Sequence, residues 1–128
     1  MSGFFVPQST LAGGTAAVDA ALAELTRRDL VYLRTRSPNA PALYSSGVRY
    51  VEEPITSEYW RTIPEVLAAR QGDCEDLCAW RAAELQYQGL PARAFAVVFR
   101  DRLGVLYHVL VQTPQGVEDP SRVLGMRA

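Results

Sequence analysis

No lysine occurs anywhere in the 128 residues; all 13 basic residues are arginine. That absence excludes Schiff-base chemistry on a lysine amine and the phosphate-binding lysine of P-loop proteins. Positive charge is not in excess either. With 14 acidic residues the formal net charge is -1, so the chain lacks the electrostatic footprint of a nucleic-acid or anionic-lipid binder, and neither nucleic acid nor membrane is expected as a partner. No apolar run reaches the roughly 18 residues of a transmembrane helix. The start MSGFFVPQSTLAGG lacks the positive beginning and continuous apolar stretch of a signal peptide. These features predict a cytoplasmic protein. Thiols and imidazoles are scarce: Cys74, Cys78 and His108 are all there are. In a reducing compartment such thiols serve catalysis, metal binding or packing rather than a structural disulfide.

What is present suffices for one core. The hydrophobic share is 48%, which at this length predicts one domain and not two. Residues 1–14 mix Gly, Pro, Ser and Thr around Phe4 and Phe5, predicting a flexible N-terminal arm whose aromatic pair tucks against a partner or its own domain. Residues 15–128 form the domain. From the N-cap candidate Thr15, the run to Arg36 carries Val18, Leu22 and Leu25 at helical spacing. SPNAP at 37–41 stops it. LYSSGVRYVEEP predicts a short extended segment. SEYWRTIPEVLAARQG predicts a helix with Pro64 near its start, ending at Gly72. A further helix runs from Cys74 to Gly89, buried along one face. After Pro91 the period changes to two: ARAFAVVFR, a turn at DRLG, VLYHVLVQT, a turn at PQG, then VEDPS. Helices followed by a meander predict an α+β fold, with the sheet packed on the helix that begins at Cys74.

The segment RQGDCEDLCAW puts Cys74 in the first turn of that helix. Unsatisfied N–H groups and the macrodipole there favour negative charge and would lower a thiol's pKa. Asp73, Glu75 and Asp76 oppose a thiolate unless they point away, and all three also suit a helix start. His108 sits mid-strand among apolar residues on both faces, where an imidazole needs a partner. Asp119 follows eleven residues later across the PQG turn, and a short antiparallel return can bring it beside His108. Taken singly, His108 could be a core histidine and Asp119 a turn residue. Taken together, Cys74, His108 and Asp119 form an ordered set of nucleophile, base and orienter. Cys74, Cys78 and His108 could instead share a metal, but only three ligands are visible and the spacing is not that of a zinc ribbon.

The pieces GDCEDL, WRAAEL, GLPARAF, YHVLV and GVEDPS together resemble the transglutaminase-like superfamily of papain-like folds, over residues 57–125. LYSSGVRY, GDCEDL and EDPSRVLGM resemble, more narrowly, small transglutaminase-like proteins of tailed phages and prophages. The resemblance implies a papain-like core with N-terminal helices packed on a small antiparallel sheet. It also implies Cys74 as nucleophile, His108 as general base and acid, and Asp119 as orienter. An oxyanion hole would use the Cys74 backbone N–H and a side-chain donor, for which Trp60 and Gln71 are the candidates. Two departures stand out: Val-Leu-Val follows His108 where many transglutaminases carry an aromatic and an acidic residue, and Cys78 occupies a position usually small and apolar. Cys78 reads as packing.

The expected activity is cysteine-dependent acyl transfer without a cofactor or metal, most simply hydrolysis of a peptide or isopeptide bond in a protein or peptide substrate. The rival is a catalytically idle module that binds other proteins, such as phage structural proteins during virion assembly, in the cytoplasm of the host.

Overall fold

The computed structural model describes residues 2–12, 14–36, 39–53, 58–101 and 104–127. Its elements run β1 (Phe4–Phe5), α1 (Gln8–Ala12), α2 (Thr15–Arg36), β2 (Arg49–Tyr50), β3 (Tyr59–Trp60), α3 (Ile63–Ala69), β4 (Gln71–Gly72), α4 (Cys74–Tyr87), β5 (Arg93–Asp101), β6 (Gly104–Thr113), β7 (Gly116–Glu118) and α5 (Pro120–Val123). A single 3-10 turn, Leu43–Ser45, precedes β2. The architecture is α+β, and no helix among the described residues is long and apolar enough to cross a membrane.

Helix α2 has the bounds expected from its pattern, and its buried stripe is Val18, Leu22, Leu25 and Leu33. Each such side chain contributes about 1.5–3 kcal/mol when fully buried. Helix α4 departs from expectation. Instead of burying one face it is enclosed on nearly every side: Cys74, Cys78, Ala79, Ala82 and Leu85 face one core with α2 and the sheet. Leu77, Trp80 and Ala83 face a second core with Leu43, Val48, Ile63 and Val66. Alanine and cysteine at successive turns let neighbouring elements approach closely, which explains why its weak apolar periodicity did not reveal a central helix.

The sheet order is β5-β6-β7, antiparallel throughout, with Val97 opposite His108 and Val111 opposite Glu118. Ala94, Ala96, Val109 and Val111 face the helices and are buried. His108 and Leu110 therefore face the other side of the sheet. The expected helix over SEYWRTIPEVLAARQG is shorter than its pattern. Tyr59–Trp60 forms strand β3, and α3 begins after the N-cap Thr62 and ends at Ala69. Arg70 then turns with φ 60° and Gln71–Gly72 pairs in parallel with β2. The helix stop at 37–38 and the centre of the DRLG turn at 102–103 lie outside the described residues.

The N-terminal arm, expected to hang loosely, is fastened to its own domain. Phe4 and Phe5 pair with Trp60 and Tyr59, the Phe5 ring meets Tyr59 edge-on at 4.9 Å, and Val6 is buried. Gly3 donates its N–H to Glu65 Oε1 at 2.7 Å. The chain passes so close here that a Cβ on Gly3 would lie 1.9 Å from the Trp60 carbonyl oxygen. Gly3→Ala is expected to lift the arm and cost about 1–3 kcal/mol, as overpacking does. Faster chymotryptic cleavage at Phe4 and Phe5 would report the detachment, and an unchanged cleavage rate would contradict it.

Candidate active site

The acids around Cys74 have definite tasks at the start of α4. Asp73 is the N-cap; its Oδ1 accepts the Cys74 N–H at 2.7 Å and its Oδ2 accepts the Glu53 N–H at 3.1 Å. Asp76 reaches back to the Asp73 N–H at 3.1 Å and also takes the Arg61 N–H at 2.8 Å. This reciprocal capping box satisfies donors that a helix start leaves open. It also ties two loop segments to the nucleophile's turn. Arg61 adds an ion pair with Glu53. Asp73 and Glu75 therefore stay close to the thiol, while Asp76 is turned to the Arg61 and Asp73 N–H groups.

His108 and Asp119 come together as their spacing predicts. The His108 Nε2 lies 3.1 Å from Asp119 Oδ1 and 3.0 Å from Oδ2. Among the described residues no hydrogen bond engages Nδ1. Asp119 also caps α5, accepting the Arg122 N–H at 3.4 Å. The preceding residue anchors it from the opposite sheet face. Glu118 receives Arg81 Nε at 2.8 Å, Arg81 Nη2 at 3.2 Å and the Tyr44 hydroxyl at 2.7 Å. Because successive side chains alternate across a strand, fixing Glu118 toward α4 presents Asp119 toward His108.

Cys74 meets the same strand one residue further on. Strand β7 stops pairing at Val111, so the edge of β6 at Val109 has no strand partner there. Thiols from α4 take that place. Cys78 Sγ donates to the Val109 carbonyl oxygen at 3.2 Å, and the Val109 backbone also favours the Cys74 thiolate by hydrogen bonding. No hydrogen bond joins Cys74 and His108 among the described residues. Cys74 is only 6% exposed. Its thiol pKa is pushed well up by burial first, then by the charges of Glu75 and Asp73. The lowered thiol pKa expected from the helix start is thus reversed: desolvation and adjacent carboxyls outweigh the macrodipole. Those carboxyls are themselves raised by burial, Asp76 to about 8 and Glu75 well above the usual range.

The oxyanion candidates fare differently. The Trp60 indole N–H donates to Glu58 Oε2 at 3.2 Å and the ring is core, while the Cys74 N–H is taken by Asp73. Both donors are already engaged. Gln71 is half-buried in β4, and its side-chain amide has no hydrogen-bond partner among the described residues. Asp73, Cys74 and Glu75 bring donor atoms within 4.8 Å of one another. Both Asp73 oxygens and Glu75 Oε1 already accept hydrogen bonds, which commits this grouping to the helix start.

Sequence reading missed the supporting residues. Tyr107 and Glu75 flank His108 and Cys74 in sequence, and the Tyr107 hydroxyl donates to Glu75 Oε1 at 2.5 Å. The opposite charges of Arg81 and Glu118 were visible, but nothing local indicated that they meet. Arg81→Met is expected to destabilise by about 1.5–3 kcal/mol, the usual worth of charge-assisted bonds, read from the urea midpoint. A loss indistinguishable from zero would mean that the pair does not anchor β7.

Two grooves lie elsewhere: one of about 490 Å³ between α2 and β5, lined by Ala16, Ala20, Ala23 and Arg93 among others, and one of about 260 Å³ beside Tyr44 and Gly125. Compared with models of protein families, with curated proteins and with solved structures, the chain matches none.

Proposed function

We propose that this chain is a cysteine-dependent acyl-transfer enzyme of transglutaminase-like, papain-like type, hydrolysing a peptide or isopeptide bond in a protein substrate. The observation that carries this reading is the two-oxygen contact of Asp119 with His108 Nε2, next to the Val109 backbone that faces both thiols. With Nε2 held by Asp119, Nδ1 is the nitrogen left for proton transfer.

Because the resting thiol is held neutral, His108 acts as a general base during attack. Nδ1 takes the Cys74 proton as the sulfur bonds to the amide carbonyl carbon. The imidazolium, stabilised by Asp119, then gives that proton to the departing amine as the C–N bond breaks, leaving a thioester. Water, deprotonated by His108, attacks the thioester; the C–S bond breaks and the thiol is restored. Gln71 is the donor available to the oxyanion, and the Cys74 N–H joins it if Asp73 releases it on substrate binding.

The buried, raised thiol and the missing bond between Cys74 and His108 favour a second reading: an idle module that binds phage structural proteins. One measurement separates the two. The intact protein is incubated with p-nitrophenyl acetate, and the acetyl-thioester is read by intact mass and mapped by peptide digestion. Acetylation at Cys74 faster than that of a simple thiol, with peptide amides also forming adducts, supports the enzyme. Acetylation no faster than glutathione's, and unaffected by His108→Ala, leaves the binding module.

A further inference from the structure

No hydrogen bond joins the Cys74 and His108 side chains among the described residues, so other contacts must set how closely they approach. Their sequence neighbours are hydrogen-bonded. Glu75 follows Cys74 on α4 and Tyr107 precedes His108 on β6. The Tyr107 hydroxyl donates to Glu75 Oε1 at 2.5 Å, with Glu75 only 3% exposed. Tyr107 lies on the helix-facing side of β6, as do Val109 and Val111, which are fully buried against α4. It is thus the polar contact at the level of the nucleophile in an otherwise apolar face.

We propose that the Glu75–Tyr107 hydrogen bond is the clamp that positions the first turn of α4 against β6, holding Cys74 within reach of His108. This inference rests on the acyl-transfer reading above and adds a positioning pair to it. The apolar contacts further along α4, at Cys78, Ala79 and Ala82, hold the helix to the sheet, and the capping box ties its start to the loops at Glu53 and Arg61. Toward β6 itself the first turn is held by the Val109 backbone at Cys74 and by the Tyr107–Glu75 bond. A helix end is where fraying is easiest. Three carboxyls and a thiol crowd this end, and their mutual repulsion when ionised pushes the turn outward. A short buried hydrogen bond from the neighbouring strand opposes that movement. Misplacement of about 1 Å at a reacting pair costs up to about 100-fold in rate, so a modest tilt is enough to matter.

Tyr107→Phe removes the donor and keeps the ring in its apolar setting. It is expected to lower p-nitrophenyl acetate acylation of Cys74 by about 10–100-fold at neutral pH. It should also erase the part of the pH–rate profile that depends on His108. Since clamp and base act as one unit, Tyr107→Phe combined with His108→Ala should be no slower than His108→Ala alone. Glu75→Gln, whose amide oxygen still accepts from Tyr107, should keep the His108-dependent limb. Glu75→Leu should behave like Tyr107→Phe, and it supplies the test if the Phe variant fails to fold by circular dichroism. If Tyr107→Phe keeps the His108-dependent limb, or if its effect simply multiplies with that of His108→Ala, the clamp is overturned while the enzyme stands. If His108→Ala leaves the wild-type profile unaltered, the enzyme reading falls and the clamp with it.

Discussion

Replacing His108 with alanine is expected to slow acylation of Cys74 by about 10²–10⁴-fold near neutral pH, the range that a general base supplies. The reason lies in the surroundings of the sulfur. Burial and the charges of Glu75 and Asp73 raise the thiol pKa, and among the described residues no cation is paired with it; Arg61 pairs with Glu53. A proton that cannot leave spontaneously must be taken during attack, and His108 is the single imidazole in the chain. Asp119→Asn should cost less than loss of the base itself, because asparagine still caps α5 but no longer stabilises an imidazolium through Nε2. The alanine variant also loses the contact with Asp119, so its urea midpoint is expected to be somewhat lower, and the rate is read under conditions where it remains folded. An acylation rate within about twofold of wild type for a folded His108→Ala would remove the catalytic assignment.

Much of the fold was legible because it rests on local patterns. The stripe Val18, Leu22, Leu25 marked α2, the period-two alternation around PQG marked β6 and β7, and the tight turn made Asp119 reachable from His108. What escaped was set by tertiary contact. Tyr59–Trp60 is a strand only because Phe4 and Phe5 lie against it. Gln71–Gly72 extends because β2 runs alongside, and glycine suits position 72 because a Cβ there would press on Leu77 and Asp76. The approach of Asp119 to His108 and the position of Cys74 in the first turn of α4 were readable from residue type and order. The site's electrostatics were not, because a thiol's pKa depends on how much water the fold removes. Sequence position at a helix start argued for a lowered value, and burial overruled it.

The same burial gives the protein an unusual pH dependence. Asp76 is pushed from the ordinary aspartate range to about 8, by burial above all and against the hydrogen bonds from the Arg61 and Asp73 N–H groups. Asp29 and Glu75 are raised in the same direction, again chiefly by burial. A folded state that holds protons the unfolded chain has released gains stability fully below the unfolded value, near 4, and loses it as pH climbs through the folded value. For Asp76 alone the loss is on the order of 5 kcal/mol at one pKa unit per 1.36 kcal/mol. On the acid side Glu118, lowered by Arg81, contributes stability that disappears as pH falls below about 4. The urea midpoint should therefore be higher at about pH 5 than at about pH 9, and Asp76→Asn should flatten the difference while lowering the midpoint at pH 5 through loss of one capping bond. A midpoint that rises from pH 5 to pH 9 would overturn the assignment. The proposed catalysis would depend on the same groups: alkaline conditions that favour ionisation of Cys74 also ionise the carboxyls around it, raising the thiol further and loosening the turn that carries it. On the proposed acyl-transfer reading, a thiol raised by burial and by Glu75 and Asp73 disfavours a resting thiolate as nucleophile, so that reading requires proton transfer to His108 during attack.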